Sequence, residues 1–309
     1  MPVRTFSLPL SLLCFLLAYS PTFADNNTVV EDIPQPHIFD GNSGQSYSWE
    51  QLFSALDSAD VIILGETHAD AKGHVVQREI IVEAARRWHG LTVSLEEFDR
   101  SQQSVLNRYE RNAMTGAELK ATRSFIDPAV KQHWMEWNLP KLKAAREGGA
   151  SLLASNAPLK YSRLVRNVGC DNLPEMEDHE RALFDCPKAA EDPAYKARFV
   201  KRMTSVAARN KNAGMKPLQA EQTDRMFRAQ RVWDATMAQS IVQARADGAD
   251  KVLHIVGGFH SDFNGGLIQE LRYRDSDSRI LVICLSPKTY DQLADSDRGR
   301  ADIIIYPRG

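Results

Sequence analysis

Glu66, His68, Asp70 and His74 fall within nine positions, directly after an apolar run that halts at Gly65 (ILGETHADAKGH, 63–74). Carboxylate oxygens and imidazole nitrogens so closely spaced suit two chemistries, divalent-metal ligation and general acid–base catalysis. Other apolar runs end the same way. Glu96 and Glu97 close LTVSLEEF, Asn156 closes SLLASNA, and GGFH brings His260 in after KVLHIVGG. Gly65, Gly257 and Gly258 suit such a place, because a residue without a Cβ lets the backbone turn sharply or approach a ligand. As an enzyme, the chain would use Glu66 or Glu96 as base toward a water, with His68 and His260 orienting groups or stabilising charge. The same four residues would hold a divalent metal acting as a Lewis acid.

Each residue also has an ordinary structural reading. Glu66 could cap a helix beginning near Asp70, His68 could bond a loop carbonyl, and Glu96 or Glu97 could pair with Arg100. His74, Gln77 and His254 read as satisfied interior groups, and Trp134, Trp137 and Trp233 as core anchors. The joint placement at four run ends is what points to one shared cavity.

The elements that must position these groups are short and β-branched: 61–66, 91–98, 151–157, 251–258, 280–285 and 302–307. Nearly continuous apolar runs are strands buried on both faces, the habit of a parallel sheet covered by helices. Helical patterns separate the first three runs, so the expected class is α/β with a mostly parallel central sheet. From about 160 to 248 strand-like runs vanish, predicting a helical insertion that forms a smaller subdomain, broken near Gly214 and Pro217. Its last helix spaces Met226, Trp233, Met237 and Ile241 at helical intervals. Open parallel sheets bind ligands beyond the carboxyl ends of their strands, where the polar groups above are found.

Composition narrows the partners. The 309 residues include 38 basic and 40 acidic ones, a balance that argues against nucleic acid and favours a small molecule. Residues 1–24 resemble a secretory signal peptide, with Arg4 before LPLSLLCFLLAY and cleavage after about Ala24. The expected location is therefore periplasmic or secreted, with a mature chain of 25–309. Cys14 lies inside the apolar core behind Leu12 and Leu13, so lipid anchoring is not expected. Export permits a disulfide between Cys170 and Cys186, which would stabilise by about 3 kcal/mol. Cys284, within ILVICL, reads as a small buried hydrophobe.

The blocks GETHADAKGHVVQ, LEEFDRSQQSVLNRY, LLASNAPLKYSRLV, RVWDATMAQSI and VGGFHSDFNGGL resemble, in order, those of the ChaN-like haem-binding uptake family, over about 37–309. That family belongs to a wider superfamily with the Tiki proteases and erythromycin esterases. The resemblance implies an α/β domain with a smaller helical part, iron-linked expression in Gram-negative bacteria, and haem bound between two protomers through a tyrosine. It also implies work with an outer-membrane haem-uptake system. The G-E-x-H block falls on Gly65, Glu66 and His68. The E-x-F-D-R-x-Q block falls on Glu96, Phe98, Asp99, Arg100 and Gln102 or Gln103, and the last G-x-x-H on Gly257 and His260. Asp234 and Met237 match a D-x-x-M-A helix. Tyr109 and Tyr161 lie in matching blocks and are the candidate haem ligands. Where relatives carry a tyrosine before a proline, this chain has Asn138 near Pro140. The reading from the residues alone keeps a metal-dependent hydrolase as the rival to a haem-binding protein.

Overall fold

The computed structural model describes residues 35–123, 128–209 and 219–308. The expected leader, Cys14, and the break at Gly214 and Pro217 lie outside the described residues. One sheet of eight strands organises the chain, and all six apolar runs are in it. These are β3 (Val61–Glu66), β4 (Leu91–Asp99), β5 (Ser151–Asn156), β6 (Lys251–Gly257), β7 (Ile280–Leu285) and β8 (Ile303–Tyr306). They pair in parallel in the order β8-β7-β3-β6-β4-β5. Two short strands, β1 (His37–Asp40) and β2 (Ser46–Tyr47), extend the sheet antiparallel past β8. At four and two residues they carry too little alternation to be seen in sequence.

The buried residues of β3 divide by parity. Ile62 and Leu64 pack under α1 (Trp49–Asp57), α2 (Ala71–Arg87) and α6 (Leu139–Glu147), against Leu52, Phe53, Ile80 and Leu142. Val61 and Ile63 pack on the other face under α10 (Ala220–Ala246) and α11 (Gly266–Arg274), against Met237, Ile241, Leu267 and Leu271. Burial on both faces is why these runs read as continuously apolar. The chain steps from β3 over the place of β6 to β4 and β5, returns to fill β6, and then crosses to β7 on the opposite side of β3. That reversal opens a crevice at the carboxyl ends of β3, β6 and β4.

Between β5 and β6 the described chain is helical apart from connecting turns: α7 (Leu159–Val168), the single-turn α8 (Asp178–Arg181), α9 (Pro193–Arg209) and α10. Cys170 and Cys186 are bridged, with Cα atoms 6.1 Å apart. The bridge closes a segment whose Phe184 stacks on Tyr161 of α7 at 4.9 Å. Cys284 is buried in β7 as a free thiol.

Candidate functional site

Two imidazole–carboxylate pairs meet at the crevice. The first grows from the end of β3, where Glu66 Oε1 lies 2.9 Å from His68 Nδ1. Glu66 Oε2 accepts from Gln77 Nε2 of α2 at 2.5 Å. Behind it the buried Lys141 of α6 donates to Gln77 Oε1 at 2.8 Å and to His74 Nδ1 at 3.0 Å. His74 in turn reaches the carbonyl of His68 through Nε2 at 2.9 Å and lies 3.0 Å from Gln77 Oε1 through Nδ1. Asp70 sits at the amino end of α2 and takes no part in these contacts.

The second pair comes from β4 and from the turn after β6. Between Leu95 and Asp99 the pairing of β4 with β5 shifts register, an irregularity of the kind that re-aims side chains beside binding sites. Glu96 there accepts from the Gly257 amide and faces His260 Nε2 at 3.3 Å. His260 Nδ1 donates to Asp234 Oδ1 of α10 at 2.6 Å. Asp234 Oδ2 accepts from Tyr195 of α9 at 3.0 Å, and Gln230 donates to the same phenol at 3.1 Å.

Glycines set these approaches. A Cβ on Gly257 would stand 2.9 Å from His68 Cε1 and 3.3 Å from Glu96 Oε2, so the two pairs come together over this residue. A Cβ on Gly65 would strike Ser261 Oγ at 2.8 Å, and one on Gly266 would overlap Asp234. Gly258 lies against Asp262 on the far side of the same turn.

The pairs border a cavity of about 290 Å³. Glu66, His68, Glu96, Asn138 and Lys141 belong to its polar lining, together with Glu97, Asp99, Gln102 and Arg123, and Leu95, Val130, Leu159, Trp233 and Ile255 form its apolar wall. His260 and Asp234 stand behind Glu96. Asn156 reaches the cavity but uses its amide on the Glu96 carbonyl and the Ala157 amide, holding two strand ends together. Glu97 turns to Trp134 Nε1 at 2.8 Å and to Arg123 at 3.2 Å. Arg100, expected as a partner for Glu96 or Glu97, pairs instead with Asp185 at 2.9 Å.

The charges hold one another. The hydrogen bond to Glu66, reinforced by the charge of Glu96, carries His68 up to about 9. Burial works against charge on His260, yet Asp234 and Glu96 on either side raise it to about 10. Burial likewise opposes ionisation of Glu96, but His260 and His68 hold it down at about 2. Glu66 lies below the usual carboxylate range despite its burial, because Lys141 and His68 attract its charge. At neutral pH the site is a closed array of imidazolium and carboxylate, in which Glu66 and Glu96 are fixed anions rather than titrating bases. Burial and the Lys141 ammonium depress His74. His254 lies inside β6, with Nδ1 2.9 Å from Ser94 Oγ, and burial pushes it down to about 3, as a neutral interior histidine.

Neither the haem tyrosines nor the metal set finds direct support in the site. Tyr109 and Tyr161 were candidate haem ligands, but Tyr109 is 2% exposed with the Arg146 guanidinium over its ring. Tyr161 is 4% exposed, stacks on Phe184, and donates its hydroxyl to Glu180 at 2.9 Å. Neither presents a free phenol on an open apolar face. The metal set Glu66, His68, Glu96 and His260 is not supported either. Among the described residues no group of three or more His, Cys, Asp and Glu is arranged to hold a metal ion. The physical reason is that Glu66 Oε1 and Glu96 Oε1 each point at an imidazole nitrogen.

Lys141, Tyr195 and Gln230 escaped the sequence reading, since all three lie on helices and follow no motif. Trp233, read as a core anchor, lines the cavity wall.

Residues 52–271 match a family model described as haem-binding uptake, Tiki superfamily, ChaN. The chloroplastic protein RETICULATA-RELATED 5 of Arabidopsis thaliana is 28% identical over 274 residues, which are 84% of this chain and 35% of that protein. The chain thus spans about a third of that relative. A solved structure described as cofacial heme binding to ChaN of Campylobacter jejuni has the same fold, with a TM-score of 0.58 at 19% identity over 89% of this chain and 98% of that one. An open-conformation mutant of the erythromycin esterase EreC gives a TM-score of 0.44 at 15% identity, over 80% and 76% of the two chains. With its matched region spanning both imidazole–carboxylate pairs, the chain belongs to the ChaN family of haem-binding uptake proteins in the Tiki superfamily.

Proposed function

We propose that the protein binds haem, as an exported component of iron acquisition working with an outer-membrane haem-uptake system and as a homodimer. Family membership across residues 52–271 carries this reading. The cavity qualifies it. At about 290 Å³ it lies just below the range of roughly 300–1,000 Å³ that encloses a drug-sized ligand. It therefore fits an edge or substituent of a tetrapyrrole, with the ring outside against the rim at Val130 and Leu159. The test is a hemin titration of the mature chain, read as a saturable Soret shift. No shift at micromolar hemin removes the reading.

One observation favours a second reading, hydrolysis of an ester or amide. A sheltered polar cavity with a cavity-facing imidazole on a buried carboxylate is the arrangement that acid–base work requires. His68 would exchange the proton, Glu66 would orient the ring, and the anion of Glu96 would favour the protonated form of His68. Turnover of an ester panel that collapses on Glu66→Gln would establish this reading. A silent panel would end it.

A further inference from the structure

Most polar groups around the cavity already have partners, and the exceptions differ in how far water reaches them. Glu66 accepts from Gln77, Glu96 accepts from the Gly257 amide, and the Lys141 ammonium is held by Gln77 and His74. Glu97 meets Trp134 and Arg123 through Oε2, and Asp99 accepts from Ser101 through Oδ1, so each keeps one oxygen open. Both of those carboxylates are half-buried and still within reach of solvent. Asn138 is different. It is the single residue between α5 (Pro128–Trp137) and α6. It is 5% exposed and lines the cavity, and its side-chain amide has no hydrogen bond among the described residues. Its backbone is fully used, the N–H by the Trp134 carbonyl and the carbonyl by the Lys141 and Leu142 amides. The side-chain amide is therefore what this residue offers to the cavity, and a buried polar group left without a partner is costly.

We infer that the cavity takes a ligand carboxamide, with N–H and C=O on the same edge, and pairs it with the Asn138 amide through two hydrogen bonds. Turning an asparagine amide over exchanges its oxygen and nitrogen, and either setting shows a donor beside an acceptor. The complement is a primary carboxamide or a lactam. A trans peptide bond carries its N–H and C=O on opposite sides and can make only one of the two bonds. An ester or a carboxylate offers acceptors alone, and an ammonium offers donors alone, so each leaves half of the Asn138 amide unmatched. The open oxygens of Glu97 and Asp99 give a cation a place of its own, so the selectivity is written at Asn138 and not over the whole cavity. Leu95, Trp233 and Ile255 provide apolar surface for the body of the ligand. The inference stands apart from haem, whose acid side chains carry acceptors alone at neutral pH. Within the hydrolytic reading it selects an amide over an ester, and that step rests on that reading.

The experiment follows the Asn138 side-chain amide of the mature chain by NMR at pH 7 while 3-phenylpropionamide, methyl 3-phenylpropionate and 3-phenylpropylamine are added in turn. The carboxamide should shift the Asn138 signals saturably and bind more tightly than the ester. Asn138→Leu, close to asparagine in size, should weaken the carboxamide about tenfold or more and leave the amine unchanged. Asn138→Asp sets an acceptor where the donor stood, so it should weaken the carboxamide and strengthen the amine. A residue with a structural role alone would not produce that reversal. Circular dichroism checks that the variants fold, and the wild-type signals decide the question where they do not. Asn138 signals unmoved by millimolar carboxamide, an ester bound as tightly as the carboxamide, carboxamide affinity unchanged in both folded variants, or an amine that gains nothing from Asn138→Asp would overturn the inference. Carboxamide bound with no ester or amide turned over sinks only the hydrolytic reading. Esters turned over, or hemin bound, by a protein silent to carboxamide sinks only the pairing at Asn138.

Discussion

Asp234→Asn isolates the electrostatics of the site, because it keeps the shape of the side chain and removes its charge. Asp234 is fully buried on α10 and holds His260 Nδ1 at 2.6 Å and the Tyr195 hydroxyl at 3.0 Å. Asparagine can still accept from His260 through its amide oxygen. Its amide nitrogen then faces Tyr195, so the phenol proton loses its acceptor while Gln230 still donates to the oxygen. The buried imidazolium is left with Glu96 alone at 3.3 Å. Removing one partner of a buried ion pair typically costs about 3–5 kcal/mol, and retention of the Nδ1 bond puts this variant near about 3 kcal/mol. Urea unfolding at pH 7 should show that loss with an unchanged slope, and NMR should show His260 titrating well below its native value of about 10. As pH approaches 10 the wild-type ring itself becomes neutral, so the stability difference should narrow. A loss under about 0.5 kcal/mol, together with a ring still charged at pH 9, would refute the view that Asp234 maintains the imidazolium.

Gly257→Ala places a methyl group 2.9 Å from His68 and should cost about 1–3 kcal/mol, with a shifted His68 ring signal; an unchanged melting temperature and spectrum would contradict the packing. His68 and His260 are raised from 6.5 to about 9 and about 10, so their stabilisation is complete below pH 6.5 and is lost as pH rises through those values. Glu96 is lowered from 4.5 to about 2, so its stabilisation is present above pH 4.5 and disappears as pH falls through 2. His254, lowered from 6.5 to about 3 by burial, removes stability as pH falls below 6.5, so melting temperature against pH should peak near 6.5 and fall on both sides, and a flat profile from 6.5 to 10 would contradict the charged array. Replacing Cys170 and Cys186 together by serine should lower stability by about 3 kcal/mol, measured by denaturant unfolding.

The sheet was legible because its strands are buried on both faces, which leaves runs such as VIILGE with little polar alternation. β1 and β2 were not, since HIFD and SY are too short to carry a period. The site was legible where chemistry sits at strand ends, as with Glu66, His68, Glu96 and His260. It was illegible where helices supply the supporting groups. Lys141 lies in a basic helix, and only the tertiary fold brings its ammonium near Glu66. Tyr195 lies 39 residues from Asp234, with no local pattern to tie them. The haem ligand was not legible for a related reason: a tyrosine in a matching block shows neither which way its phenol turns nor what covers it.

The enclosed tyrosines and the unsupported metal set lead to one view of the cavity. The carboxylates that suggested a metal are occupied by imidazoles, a backbone amide and a glutamine, and the rings that looked free to titrate are held as cations by those carboxylates. Such an array gains little from a metal ion, which would have to break charge-assisted hydrogen bonds already made. What it provides is a fixed electrostatic floor, positioned before any ligand arrives. Preorganisation of this kind lowers the cost of binding a polar ligand group. Family membership alone therefore does not decide between carrying a ligand and turning it over. The choice lies in whether a water can reach the bound group past Leu159, Val130 and Trp233, which makes the apolar wall, more than the acidic floor, the place where relatives with different functions should diverge.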